Sequence, residues 1–107
     1  MFCNIRHYRV DQSQMDALMH RIDTEFAELV EREPGFVGYH ACDCGDGVLL
    51  TLTMFHDSES AMNSAAIAAT YVRDTLSSEF DIERLNAWNG DIKVNCASAE
   101  MLEPAHA

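Results

Sequence analysis

Apolar and polar positions alternate and then recur at helical spacing in an order that can be read along the chain. Residues 2–10, FCNIRHYRV, are rich in strand formers and stop at Asp11, which predicts a first strand. Asp11 with Gln14 three positions on resembles a capping box. Met15, Leu18, Met19, Ile22, Phe26, Leu29 and Val30 then recur at spacings of three and four. An amphipathic helix from about residue 12 to 32 follows. Pro34 disfavours helix at Glu33, and Pro34-Gly35 turns the chain into a second strand, FVGYHACDC. Asp46-Gly47 is a two-residue hairpin signal leading into a third strand, VLLTLTMF, paired antiparallel with the second. Asp57 is placed to cap a second helix reaching about Leu76, with Ala61, Ala65, Ala68 or Ala69, Val72 and Leu76 toward the sheet. Residues 77–90 read as a connection with scattered apolar positions. Asn89-Gly90 then turns the chain into DIKVNCA as a fourth strand, and residues 98–107 read as a tail.

The order β-α-β-β-α-β is the ferredoxin-like plan, an α+β fold with a four-stranded antiparallel sheet and both helices on one face. It makes residues 1–97 one domain. The third strand is apolar on both alternating sets: Val48, Leu50, Leu52 and Met54 on one side, Leu49 and Phe55 with Thr51 and Thr53 on the other. A strand apolar on both faces is covered on both faces. The simplest cover for the helix-free face is a second copy, giving a two-fold homodimer with sheets packed face to face; a monomer with a greasy sheet is the alternative.

Charge narrows the partners. The 107 residues carry a net charge of -11 and no basic patch, so nucleic acid and anionic membrane surfaces are disfavoured. The longest uncharged run, residues 60–72, is short and holds Ser, Asn and Thr, which does not make a membrane span. Met1 leads directly into strand-like residues with Arg6 and Arg9 among them, not into a signal peptide, so a cytoplasmic location with reduced thiols is expected.

The stretch HACDCGDG, residues 40–47, tests for a metal site, because His40, Cys42 and Cys44 fall at every second position. On an extended strand, residues two apart are separated by about 6.8 Å, whereas two thiolates on one zinc approach to about 3.8 Å. A regular strand therefore excludes these three as one ligand set, and a Cys42–Cys44 disulfide fails on the same distance. Small packing residues near a hairpin are the expected reading, with no metal. Cys3 and Cys96 are expected on neighbouring first and fourth strands and close together, as reduced thiols.

IRHYRV, then EPGFVGYHACDCGDGVLLTLTMFHD, then a helix through AATYVRD, resembles the antibiotic biosynthesis monooxygenase-like family of dimeric α/β barrel proteins over roughly residues 2–76. The resemblance implies a homodimer, a pocket between each sheet and its own helices, and oxygenation of aromatic, polyketide-like substrates without flavin, haem or metal. Such chemistry needs a base near neutrality, a group that holds the substrate anion, and a dry apolar pocket. By residue type, His7 and His40 are the candidate bases. Arg6 or Arg9 are candidates to hold the anion, and Tyr8, Tyr39, Tyr71 and Trp88 to orient an aromatic ring. Adjacent Arg6 and His7 point to opposite faces and cannot both line one pocket. A haem-degrading branch of similar fold depends on a strand-one asparagine, for which Asn4 is a candidate, with a tryptophan and a ligating histidine on the second helix. Residues 58–76 hold neither, which disfavours haem oxygenation. Two function classes follow: a cofactor-independent monooxygenase acting on a small aromatic substrate, and a non-catalytic dimeric small-molecule-binding protein of the same fold.

Overall fold

The first strand, β1 (Phe2–Val10), runs through the middle of the sheet because it pairs on both edges. In the computed structural model, which describes residues 1–102, β2 (Phe36–Asp43), β3 (Val48–Phe55) and β4 (Ile82–Asp91) complete the order β2-β3-β1-β4, antiparallel throughout. Two helices join the strands. The first, α1, covers residues 12–31: a 3-10 turn at Gln12–Gln14, α-helix at Met15–Arg21, a π-helical turn at Ile22–Phe26, and α-helix again at Ala27–Glu31. The second, α2, covers residues 58–79 and is α-helical at Ser58–Tyr71 and Ser77–Glu79 around a π-helical turn at Val72–Leu76. This is the ferredoxin-like α+β architecture.

Helix starts are fixed by side chains. Asp57 accepts from the Ser60 backbone N–H at 2.8 Å, as the cap position predicts. Asp11 accepts from the Ser13 N–H, but the reciprocal half of the expected capping box is absent. Instead Gln14 Oε1 accepts from Asp81 N–H at 2.9 Å, and Asp11 N–H donates to the Asp81 carbonyl. The start of α1 is thereby tied to the entry of β4.

The β2–β3 hairpin turns where Asp46-Gly47 indicates. Asp46 (φ 52) and Gly47 (φ 76) both have positive φ, and Val48 N–H donates to the Gly45 carbonyl, which is a type I′ turn. The apolar stripes meet in one core on the helix side of the sheet: Met15, Leu18, Ile22 and Val30 from α1, Tyr8, Val10 and Leu49 from the strands, and Leu76 from α2.

The last strand departs from the sequence expectation. β4 occupies residues 82–91, inside the stretch read as a connection, and 92–98 hold no regular element. Asn89-Gly90 is not a turn here: Asn89 faces Asn4 and Gly90 faces Cys3 across the ladder. β4 is an edge strand whose residues are mostly exposed, so it lacks the apolar alternation that marks β1 and β3. An irregularity opposite His7 and Tyr8 also breaks its period, since Asn86 pairs with His7 and Arg84 with Tyr8, leaving Leu85 as an extra residue. The expected neighbourhood of Cys3 and Cys96 goes with it. Cys3 stands opposite Gly90, Cys96 lies five positions beyond the strand and exposed, and both are free thiols. Within the tail read at 98–107, Ala99–Leu102 form a 3-10 turn and residues 103–107 lie outside the described ones. No helix among the described residues is long and apolar enough to cross a membrane.

Candidate functional site

Side-chain alternation on β1 sorts the candidate residues onto two faces. Asn4, Arg6 and Tyr8 point toward the helices and line a cavity of about 530 Å³, counted out to its open mouth, between the sheet and α1 and α2. Its sheet wall continues through Leu49, Thr51 and Thr53 of β3, Tyr39 of β2 and Ile82 of β4. The helices close the other side with Ile22, Phe26 and Val30 from α1 and Ala65, Ala68, Val72 and Leu76 from α2. Both π-helical turns present their first and last residues here, Ile22 and Phe26 in one, Val72 and Leu76 in the other. π-helical turns inside α-helices are frequent at functional sites. Small alanines on α2 leave the space that larger side chains would fill.

The polar groups of the cavity lie mainly on its sheet wall. Asn4 is 5% exposed and donates from Nδ2 to the Ala61 carbonyl at 2.9 Å, which fixes the orientation of its amide. Its Oδ1 is buried with no hydrogen-bond partner among the described residues. An unpaired buried acceptor costs about 1–3 kcal/mol, so it marks a place where a donor belongs. Arg6 donates three times, to the Ile5 and Trp88 carbonyls and to Asn89 Oδ1, always from Nη1. Burial draws its pKa below the ordinary arginine value, and the charge of Arg84 adds to the effect. The guanidinium nevertheless stays charged. Tyr8 and Tyr39 are both pushed above the ordinary tyrosine value by burial, so their phenols stay protonated and able to donate at neutral pH. Neither hydroxyl bonds to another described residue.

The other candidates lie elsewhere. His7 pairs with Leu50 and Asn86, and His40 with Leu52, which puts both imidazoles on the helix-free face and outside the cavity. The Asn86 amide lies 2.9 Å from His7 Nδ1. Trp88 is on that same face, 51% exposed, and touches the site only through its carbonyl, which accepts from Arg6. Tyr71 spans the helices: its hydroxyl donates to Glu25 Oε2 at 2.8 Å and its ring packs on Phe26, whose other neighbour is Tyr39. It holds a cavity wall from behind. Arg9 turns outward into ion pairs with Asp81 and Glu83. Cys42 and Cys44 are exposed at the hairpin, the Cys44 thiol resting on the Cys42 carbonyl.

Two residues in or beside the cavity, Asn4 and Arg84, are not among the substrate-chemistry candidates that residue type suggests. Asn4 shares a period-two row with Arg6 and Tyr8, a signal present in the sequence. Arg84 alternates with the cavity residue Ile82 and faces Tyr8, a relation hidden while residues 77–90 read as a connection.

No protein-family model matches the chain, and no curated protein does. Solved structures do. A dimeric ferredoxin-like protein from an uncultured marine organism superposes with a TM-score of 0.72 at 11% identity, over 91% of this chain and 98% of its own. The heme-degrader MhuD from Mycobacterium tuberculosis, solved with two hemes in its active site, gives a TM-score of 0.70 at 16% identity over 91% and 100%. A monooxygenase from Streptomyces coelicolor, the product of ActVA-Orf6, solved with nanaomycin D, gives 0.66 at 16% over 91% and 92%. The chain has their fold. At these identities the likeness is one of architecture, and the chemistry has to be argued from the cavity.

Proposed function

We propose that this protein is a monooxygenase-type enzyme that takes a planar, hydroxylated aromatic molecule into the cavity between its sheet and its own helices and lets the substrate itself reduce oxygen. The observation that carries this reading is the buried, unpartnered Oδ1 of Asn4 in an otherwise largely apolar cavity. A phenolic or enolic hydroxyl of the ligand supplies the missing donor. Tyr8 and Tyr39 then donate to a substrate oxygen, and the positive charge of Arg6 favours loss of the substrate's proton to water at the open mouth of the cavity. The substrate carbanion or phenolate passes electrons to O₂. In the case of a ring CH₂ becoming C=O, one oxygen atom enters the product and the other leaves as water with the two hydrogens, so no external reductant is required. The fold is shared with the monooxygenase solved with nanaomycin D, which supports the same class of ligand.

The dimer belongs to this proposal. Ile5, Leu50, Leu52, Met54 and Trp88 make the helix-free face apolar, and a second copy packed sheet to sheet covers it. His7 and His40 then lie between the copies and not beside the substrate.

One feature favours the second reading, a binding protein without catalysis. Among the cavity residues only Arg6, Tyr8 and Tyr39 titrate, and none of them is a base at neutral pH. The two readings part in an oxygen electrode. Anthrone incubated aerobically with the protein and no added cofactor should consume one O₂ per anthraquinone formed, faster than the protein-free rate, and Asn4→Leu should abolish the excess. Ligand-induced thermal stabilisation with no excess uptake would establish the binding protein instead.

A further inference from the structure

The basic residues of this chain are scarce, and most are already neutralised. Of seven lysines and arginines, Arg9, Arg21, Arg73 and Lys93 each sit in an ion pair with a carboxylate. Three have no carboxylate partner among the described residues: Arg6, Arg32 and Arg84. Two of these three, Arg6 and Arg84, are close enough for their charges to interact and stand by the cavity. Arg6 is part of its wall, and Arg84 faces Tyr8 across the β1–β4 ladder, one inward position along from the cavity residue Ile82. Neither has an ion-pair partner among the described residues.

The way Arg6 is held adds a second, independent fact. Its three hydrogen bonds all leave from Nη1, which anchors one end of the guanidinium to β1 and β4. Nε and Nη2, the edge that grips a carboxylate with two parallel bonds, have no acceptor among the described residues. The anion formed during reaction needs one positive charge, which Arg6 supplies; its free fork and the second charge of Arg84 beside the wall are left over.

We propose that the substrate carries a permanent carboxylate close to its hydroxylated ring, gripped by the free edge of Arg6 with Arg84 beside it at the mouth of the cavity. Arg84 is thus a specificity-determining residue. The oxygen atoms of the ligand divide accordingly, with the ring hydroxyl on Asn4 and the carboxylate toward β4. This inference rests on the cavity reading above and adds the class of ligand, an aromatic hydroxy acid.

A matched pair of probes separates the two levels: 3-hydroxy-2-naphthoate and 2-naphthol, titrated calorimetrically at neutral pH in low and high salt. The naphthoate should bind wild type roughly tenfold more tightly than the naphthol, and only its affinity should fall with salt. Arg84→Gln, at an exposed position, should cut that preference about three- to fivefold while leaving the naphthol unchanged. Arg6→Lys, which keeps charge but loses the fork, should cut it further. Equal affinity of wild type for the two probes would overturn the carboxylate and leave the cavity reading standing. A preference unmoved by both substitutions would also overturn it, and binding of neither probe would remove the cavity reading as well.

Discussion

The side-chain amide of Asn4 bonds to the carbonyl of Ala61 at 2.9 Å, joining the central strand to the second helix across the floor of the cavity. That bond uses one N–H of the amide and fixes its orientation, leaving the acceptor oxygen buried without a partner among the described residues. Asn4→Leu removes a neutral hydrogen bond worth about 1 kcal/mol and an unpaired acceptor that costs about 1–3 kcal/mol. The two nearly offset, so urea unfolding should move by no more than about 1 kcal/mol. Thermal stabilisation by 2-naphthol should vanish in the same variant. A large loss of stability with ligand binding intact would mean that Asn4 serves the fold and not the ligand.

The hairpin offers a test of fold energetics away from the cavity. Gly47 has φ 76, and a Cβ built on it would lie 2.5 Å from the Val10 carbonyl oxygen, while the Val10 N–H donates to the Gly47 carbonyl. Gly47→Ala therefore meets both a strained φ and the backbone of the central strand, with no flexible side chain to give way. It should destabilise by roughly 2–4 kcal/mol, whereas Gly45→Ala, with positive φ and nothing within 4 Å, should cost only about 1 kcal/mol. Equal urea midpoints for the two variants would contradict this account.

How much of this was legible beforehand varies with the physics of each element. β1, β2, β3 and both helices follow from alternation, helical spacing and caps, because each buries one face and the burial writes a period into the sequence. β4 does not follow. It pairs on one edge, exposes most of its side chains, and carries an extra residue that shifts its phase at Leu85. Asn89-Gly90 then imitates a turn in the middle of it. Arg6, Tyr8 and Tyr39 were legible as a type of chemistry, and strand alternation brought them to one wall. His7 and His40 are candidate bases by residue type alone, and the same alternation carries them to the opposite face.

All three tyrosines of the chain have pKa values raised in the folded state, Tyr8 and Tyr39 by burial and Tyr71, up to about 12, by burial and by its bond to Glu25. The sign is fixed by linkage. The folded protein holds phenolic protons that the unfolded chain releases near pH 10, so the contribution is fully present below that pH and is lost as pH rises through the folded values. Phenolate absorbance of the native protein should stay low past pH 10 and then rise together with loss of the folded circular dichroism signal. Tyr71→Phe should remove the contribution of its Glu25 bond and leave the late rise of the other two. A native titration centred near 10 would show the phenols to be open to water.

The helix-free face makes the last prediction. Leu50, Leu52 and Met54 stand on β3 between Ile5 and Trp88 on one side and His40 on the other, half-buried by their neighbours or exposed, with Trp88 the most open. If two copies pack here, sedimentation should report about twice the 12.0 kDa chain mass. Leu52→Glu would set a carboxylate into the dry centre of that contact in each copy, near its symmetry mate, and should shift the protein to monomer at micromolar concentration. The cavity opens on the other side of the sheet, so the monomer should still be stabilised by 2-naphthol. A wild-type monomer at all concentrations would overturn the face-to-face assembly without touching the cavity.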